Sequence, residues 1–356
     1  MSVHLGDCLP WLRSLPANSA DLILTDPPYF KVKSEAWDRQ WDKPAEFLAW
    51  LGTIADEWRR VLKPNGSLYC FASPQMSARV EVMLADRFSV LNSIVWNKSD
   101  SAGRHSASCK EDLRAFFPAT ERIVFAEQLG ADSMAKGEAG YEARCDELRG
   151  FVFEPLRTYL DTERERAGVS VREVAEAFQA KTGSRTVTGM AGHWFGRVQW
   201  TLPTEANYLW LRELFTARGA PEPLRREYED LRREYEDLRR EYEDLRREYE
   251  DLRRPFSVTK DDFYTDVWSF KTVQAYRGKH PCEKPQALLR HMIERSTRPG
   301  GVVLDCFAGS GSTGVAALAL GREFMGCEMS PEWHAVASRA LAGVGETVPL
   351  FLEAAQ

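Results

Sequence analysis

Two short apolar runs constrain the fold of this 356-residue chain more than any other feature: Asp21-Leu22-Ile23-Leu24 near its start and Gly301-Val302-Val303-Leu304 near its end. Neither alternates polar with apolar residues, so each reads as a strand buried on both faces of a parallel sheet. Each runs straight into a motif, Thr25-Asp26-Pro27-Pro28-Tyr29 in the first case and Asp305-Cys306-Phe307-Ala308-Gly309-Ser310-Gly311-Ser312-Thr313-Gly314 in the second. Ligands of such sheets bind beyond the carboxyl ends of the strands, so one edge is expected to hold both motifs.

The first motif is built to accept hydrogen bonds. Its prolines fix φ and remove amide donors, which leaves the carbonyls of Asp26 and Pro27, with the Asp26 carboxylate, free to face an incoming polar group. A row of acceptors suits an exocyclic amine, and Tyr29 supplies a flat face for a planar base. A proline turn closing a strand would use the same residues without any ligand.

The second motif is ambiguous alone. Gly309, Gly311 and Gly314 fit G-x-G-x-x-G, and Glu328 follows at the distance of a ribose-binding acid, as in nicotinamide dinucleotide sites. Ser312, Thr313 and a helix from about Gly314 would serve S-adenosylmethionine equally. An adenosine-containing cofactor is the common expectation.

Taken together and in this order, the motifs resemble the amino-methylating DNA methyltransferases of the β class, the adenine-N6-specific, Asp-Pro-Pro-Tyr type of bacteria and phage. In that family the catalytic segment comes first, target recognition sits in the middle and the cofactor loop comes late. Further pieces match: Gly6-Asp7-Cys8-Leu9, a helix-to-strand turn at Leu62-Lys63-Pro64-Asn65-Gly66-Ser67-Leu68-Tyr69, core strands at Ile94-Val95-Trp96-Asn97-Lys98 and Thr120-Glu121-Arg122-Ile123-Val124-Phe125-Ala126, and the element His280-Pro281-Cys282-Glu283-Lys284-Pro285. The resemblance covers about residues 1–127 and 265–356.

It implies a doubly wound, Rossmann-like α/β methyltransferase sheet. Residues 1–127 form the catalytic half and 265–356 the cofactor half, with an inserted recognition region at 128–264. By the same resemblance, Asp26 and the Pro27 carbonyl accept the two N–H bonds of a flipped adenine, and Pro28 and Tyr29 complete the catalytic set with Tyr29 stacked on the base. Asp305, Phe307, Gly309, Gly311, Ser312 and Thr313 face the methionine and sulfonium of S-adenosylmethionine, Glu328 its ribose and Asp7 its adenine, while Lys284 and Pro285 close the pocket. Transfer to cytosine N4 is the alternative; Asp rather than Ser at position 26 favours adenine. A nicotinamide oxidoreductase would leave Asp26-Pro27-Pro28-Tyr29 and the His280 element idle.

Composition sets outer bounds. Seven cysteines, an odd number without a C-x-x-C pair, suit a reduced cytoplasmic protein with no zinc or disulfide framework, and no run approaches transmembrane length. The net charge of −6 argues against nucleic acid, yet phosphate binding depends on local patches. Lys271, Arg277, Lys279, Lys284, Arg290, Arg295 and Arg298 face only Glu283 and Glu294 in one stretch, and Lys181, Arg185 and Arg197 lie in an acid-free one. Double-stranded DNA is the expected partner. The tract Lys31 to Asp42, with Trp37, Arg39 and Trp41, reads either as a lid over the base, with Arg39 near DNA, or as core tryptophans.

The middle third has another texture. Residues 128–150, rich in Gly, Ala and charge, read as a linker. Ser170 followed by Glu173 is a capping box opening a helix with Val171, Val174, Ala175 and Phe178 on one face. A break at Gly183-Ser184, a second helix about Thr188 to Phe195 and a third starting at Leu202-Pro203-Thr204-Glu205 give helix-turn-helix spacing over 165–218. Lys181, Arg185, Thr186, Thr188, His193 and Arg197 would then lie near DNA.

Next, Leu-Arg-Arg-Glu-Tyr-Glu-Asp repeats from Leu224, Leu231, Leu238 and Leu245 and ends at Leu252-Arg253-Arg254. Its leucines and tyrosines alternate at heptad spacing, so 224–254 is expected as one helix of about 45 Å laced by i, i+4 pairs such as Arg225–Glu229 and Arg226–Asp230. A free-standing arm, a spacer and a homodimer contact all remain open for it.

Overall fold

The computed structural model describes residues 2–32, 34–98, 116, 119–130, 141–184, 189–197, 199–260, 265–274 and 276–347. The chain forms two compact units, one of Met1–Lys136 with Arg254–Gln356 and one of Gly137–Arg253.

In the first unit, strands β1 (Ser2–Leu5), β2 (Ala20–Thr25), β3 (Leu62–Ala72), β4 (Phe88–Asn97), β5 (Thr120–Gln128), β6 (Val267–Ser269), β7 (Val302–Asp305) and β8 (Glu323–Glu328) form one sheet in the order β1-β8-β7-β2-β3-β5-β4-β6. The five strands from β1 to β3 pair in parallel, and β5 runs antiparallel to both neighbours. Alternation along the strands divides the core in two. Ile23, Leu68, Cys70, Val124 and Leu304 point to the face covered by α1 (Cys8–Ser14), α2 (Pro44–Val61) and α3 (Ser77–Ala85), meeting Leu12, Leu51, Trp58 and Leu84. Leu22, Leu24, Tyr69, Phe71, Phe125 and Val303 point the other way. There the first unit's remaining helices, Gln286–Ser296, Ser312–Ala319 and Pro331–Thr347, supply Leu289, Met292, Ala316 and Ala337. Side chains buried on both faces explain why β2 and β7 read as unbroken apolar runs.

Asp21, the polar residue at the start of the first run, is tied down at the sheet's far end. Its carboxylate accepts from Lys63 Nζ and from the Val302 amide, each at 2.8 Å. Leu62–Tyr69, expected as a turn, belongs to β3. The register between β2 and β3 shifts between Ala20 and Leu22, absorbing the Pro64-Asn65-Gly66 stretch as an irregularity rather than a break.

The second unit is helical: α4 (Tyr141–Val152), α5 (Glu154–Arg166), α6 (Val171–Thr182), α7 (Met190–Phe195), α8 (Glu205–Ala217) and α9 (Tyr228–Leu252). Part of the expected linker is therefore helix α4, and Gln128 ends a strand. The Ser170 capping box is present, and Gly183 closes α6 in the left-handed conformation at φ 66°. Thr204 caps α8 through the Asn207 amide. The second helix is shorter than expected, and Arg185, Thr186 and Thr188 lie outside the described residues.

The repeat behaves differently from the expected continuous arm. The start of its first copy, Leu224 to Glu227, is not helical: Leu224 has φ 51°, its amide donates to Glu163 Oε2 at 2.7 Å, and its carbonyl accepts from Arg212 Nη2 at 2.8 Å. These bonds to α5 and α8 outweigh helix propensity, so α9 begins at Tyr228 and spans about 37 Å. Arg226 accordingly pairs with Glu234 and Arg225 with Glu222, not with Asp230 and Glu229. Along α9 the ion pairs are mostly i, i+3, as in Arg240–Asp237 and Arg247–Asp244. Nor is the stripe free-standing. Leu231 and Tyr242 are buried in the unit's own core, and Tyr235 stacks on Phe153 at 5.3 Å.

Candidate active site

Strands β2 and β7 are neighbours in parallel register, Leu22 beside Val303 and Ile23 beside Leu304, so their carboxyl ends release both motifs side by side. Between the motifs lies a cavity of ≈ 280 Å³. Asp26, Pro27, Pro28 and Tyr29 line it together with Asp7, Lys284, Asp305, Phe307, Gly309, Ser312, Thr313 and Glu328. Gly311 and Pro285 stand at the N-caps of the helices that begin at Ser312 and Gln286. Asp7 also caps α1, accepting from the Leu9 amide at 2.8 Å.

The glycine loop is shaped from both sides. Gly309 has φ 53°, and a Cβ there would stand 3.2 Å from the His280 ring, so glycine both suits the backbone and lets the His280-Pro281 element lie against the loop without displacement. His280 in turn meets Trp333 edge-on at 4.5 Å. The Gly309 amide donates to Glu328 Oε2 and the Ser330 amide to Oε1, both at 2.8 Å, which fixes this carboxylate at the cavity wall. Burial raises its pKa despite those bonds. Asp305 is buried deeper. Desolvation lifts its pKa to about 6 against the opposing pull of bonds from Thr313, Phe307 and Thr25.

On the other wall Asp26 is part of a charged cluster. Lys284 Nζ bonds its Oδ2, while Oδ1 is buried with no hydrogen-bond partner. Lys284 also lies 3.5 Å from Glu121 Oε2, the Tyr29 hydroxyl donates to the same oxygen at 2.9 Å, and Lys98 bonds Oε1. Burial raises Asp26 above its ordinary value even beside Lys284. Glu121 is also pushed up by burial, but Lys284 and Lys98 outweigh that and hold it low. Tyr29 is driven well up by burial and by the two carboxylates, so it stays a phenol that donates.

Lys284, expected with the cofactor residues, is thus bonded to Asp26, the acid expected to face the base. From sequence, Glu121 and Lys98 stand out only as pieces of core strands. The signal that could have marked them is a charge two residues from an apolar run, Lys98 after Ile94-Val95-Trp96 and Glu121 before Ile123-Val124-Phe125-Ala126. The two tryptophans of the 31–42 tract divide: Trp37 lines the cavity, and Trp41 packs on Trp50 at 4.5 Å within the core. Arg39 is exposed beyond the short helical turn Ala36–Asp38.

Of the remaining residues expected near DNA, Lys181 donates to Asn207 Oδ1 at 3.0 Å and lies over the Trp210 ring at 4.8 Å. Arg197 pairs with Glu154 at 3.4 Å while remaining mostly exposed. His193 lies on α7. All three belong to the helical unit.

Residues 20–339 match the family model described as DNA methylase, which groups N6 and N4 amine methylases. The chain belongs to the DNA methylases. It is accordingly an enzyme that transfers a methyl group to DNA, with S-adenosylmethionine as donor. The chain is 26% identical over 345 residues to DNA adenine methyltransferase YhdJ of Escherichia coli (strain K12), spanning 94% of this chain and 81% of that protein. It is 44% identical over 85 residues to the type II methyltransferase M2.DpnII of Streptococcus pneumoniae, 23% of this chain and 32% of that one. Among solved structures, the M1.HpyAVI–SAM complex aligns with a TM-score of 0.49 at 17% identity, covering 96% of this chain and 98% of the other.

The residues present suit a sulfonium donor. Asp305 and Glu328 offer carboxylates to a positively charged ligand, the glycine loop offers close backbone approach, and Asp26, which also lines the cavity, has a buried Oδ1 without a hydrogen-bond partner. Among the described residues no helix is long and apolar enough to cross a membrane.

Proposed function

We propose that this methylase acts on the N6 amine of adenine in double-stranded DNA, on a base drawn out of the duplex. The observation that carries the reading is the pairing of a buried, unsatisfied acceptor, Asp26 Oδ1, with the Pro27 backbone at a cavity that also meets the glycine loop. The likeness to an adenine methyltransferase along most of both chains supports the choice of base.

The amine of adenine is a weak nucleophile because its lone pair is delocalised into the ring. Asp26 Oδ1 and the Pro27 carbonyl accept its two N–H bonds, which orients the lone pair toward the cofactor wall. Tyr29 presents its ring to the base and is held by its hydroxyl bond to Glu121. When bound, S-adenosylmethionine supplies an electrophilic methyl group on a positively charged sulfur. Asp305, Phe307, Gly309, Gly311, Ser312 and Thr313 hold its methionine end, Glu328 its ribose and Asp7 its adenine. Lys284 acts on the base side, through Asp26, rather than on the cofactor. Preorganised acceptors of this kind lower a barrier without a covalent intermediate, so the buried cysteines have no chemical task.

The helical unit supplies DNA reading through Lys181 of α6, His193 of α7 and Arg197 between α7 and α8, with Arg39 of the other unit adding contact. Incubation with duplex DNA and methyl-labelled S-adenosylmethionine, followed by nucleoside chromatography, tests the reading. Labelled N6-methyladenine is the expected product; label in N4-methylcytosine alone overturns it.

A further inference from the structure

Glu121 is a puzzle for packing alone. It is the second residue of β5, its side chain is 13% exposed, and it sits across from Trp96 in the antiparallel pair with β4. A carboxylate so buried costs stability unless its charge is used, and an apolar residue would serve a strand core better. Its three partners converge from three separate parts of the chain. Lys98 follows β4, Tyr29 follows β2, and Lys284 precedes the helix Gln286–Ser296. Lys284 is itself confined, with the Tyr29 ring 5.3 Å and the Phe71 ring 4.7 Å from Nζ and the Cys282 carbonyl at 3.5 Å. Two carboxylates and two lysines make a formally neutral group in which Lys284 is shared.

We infer that Glu121 is a positioning residue for the methyl-transfer reaction: it divides Lys284 with Asp26 and pins the Tyr29 hydroxyl, so that Asp26 stays aimed with Oδ1 open to the substrate amine. The inference rests on the adenine reading above and adds a residue that the motifs do not contain. Without Glu121, Lys284 would serve Asp26 alone and compete with the amine for its lone pairs. Without Lys98, Glu121 would draw Lys284 toward itself.

Those two losses have opposite electrostatic signs at Asp26, which a purely structural role would not produce. The charged and titratable groups around Asp26 are Lys284, Glu121, Tyr29, Cys70 and Asp305. Removing the negative charge in Glu121→Gln favours ionised Asp26 and moves its titration to lower pH. Removing the positive charge in Lys98→Met frees Glu121 to take Lys284 and moves it to higher pH.

The test is a carbon-13 NMR titration of aspartate carboxyls in protein without cofactor or DNA, the Asp26 signal being identified by its loss in Asp26→Asn. Opposite displacements in the two variants are expected, together with kcat lower by about 10- to 100-fold in Glu121→Gln and a nearly unchanged KM for S-adenosylmethionine. An Asp26 titration that stays in place in either variant, or moves the same way in both, overturns the inference. If one variant does not fold, the direction in the other decides. Absence of adenine methylation by the unsubstituted protein would instead sink the reading on which the inference rests, and the titration is independent of it.

Discussion

The Thr25 hydroxyl donates to Asp305 Oδ1 at 2.9 Å, across 280 residues of chain. Thr25 is the last residue of β2 and Asp305 the last of β7, so this buried bond ties the two strand ends from which the base-side and cofactor-side walls depart. Cys306 lies beside it, accepting from the Trp58 indole at 3.2 Å. The junction between the two walls is thus a packed, hydrogen-bonded seam, which is what a reaction needing alignment of two ligands requires.

Asp26→Asn keeps the side-chain volume and leaves Lys284 with Glu121, but places an amide donor before an amine that needs an acceptor. Methyl transfer should fall by about 100-fold or more. Binding of S-adenosylmethionine, followed by calorimetry, should persist, because the cofactor residues lie on the other wall.

Asp305 gives the site a pH dependence with a definite sign. Its folded value of about 6 lies above the ordinary 3.8, so the stability it contributes is complete below about pH 4 and is lost as pH rises through about 6. A positively charged ligand reverses the preference, since it favours the ionised carboxylate. Affinity for S-adenosylmethionine should therefore strengthen as pH climbs through about 6, and Asp305→Asn should flatten that dependence. Calorimetric titrations between about pH 5 and about pH 8 check both statements.

Gly311→Ala should disrupt the cofactor loop. The residue has φ 81°, and a Cβ would stand 3.0 Å from the Ala337 backbone. Left-handed backbone costs a side chain about 1–2 kcal/mol before that contact is relieved. Thermal denaturation should show a lower midpoint, and cofactor affinity should fall with it.

The heptad repeat offers a contrast at chemically equivalent positions. Leu231 is 0% exposed and Leu252 is 55% exposed. Leu231→Ala should cost about 2–5 kcal/mol and Leu252→Ala less than about 0.5 kcal/mol, as read from denaturant unfolding of the full chain. Equal costs would show that α9 does not pack on its own unit as described.

Much of this molecule was legible from local chemistry. Unbroken apolar runs ending in a motif can be satisfied only by strands buried on both faces, and β2 and β7 are such strands. Ser170 with Glu173, and Thr204 before Glu205, begin helices because their side chains bond the first free amides, whatever surrounds them. The same reasoning failed for the repeat. Its helical pattern is uniform, but Leu224 lies where α5 and α8 present Glu163 and Arg212, and those partners bend the chain away from the helix.

The sequence by itself determined that β2 and β7 are strands, where α6 and α8 begin and which motifs a sheet edge would carry, because propensity, capping and side-chain alternation act over a few residues. Only the tertiary structure decided that Lys284 serves Asp26 and that Glu121 and Lys98 complete its charge balance. Those four side chains come from four separate segments, and the adjacency of β2 with β3, β3 with β5 and β5 with β4 is what brings Asp26, Glu121 and Lys98 within reach of one another. Electrostatic contact depends on distance through space, which spacing along the chain does not encode.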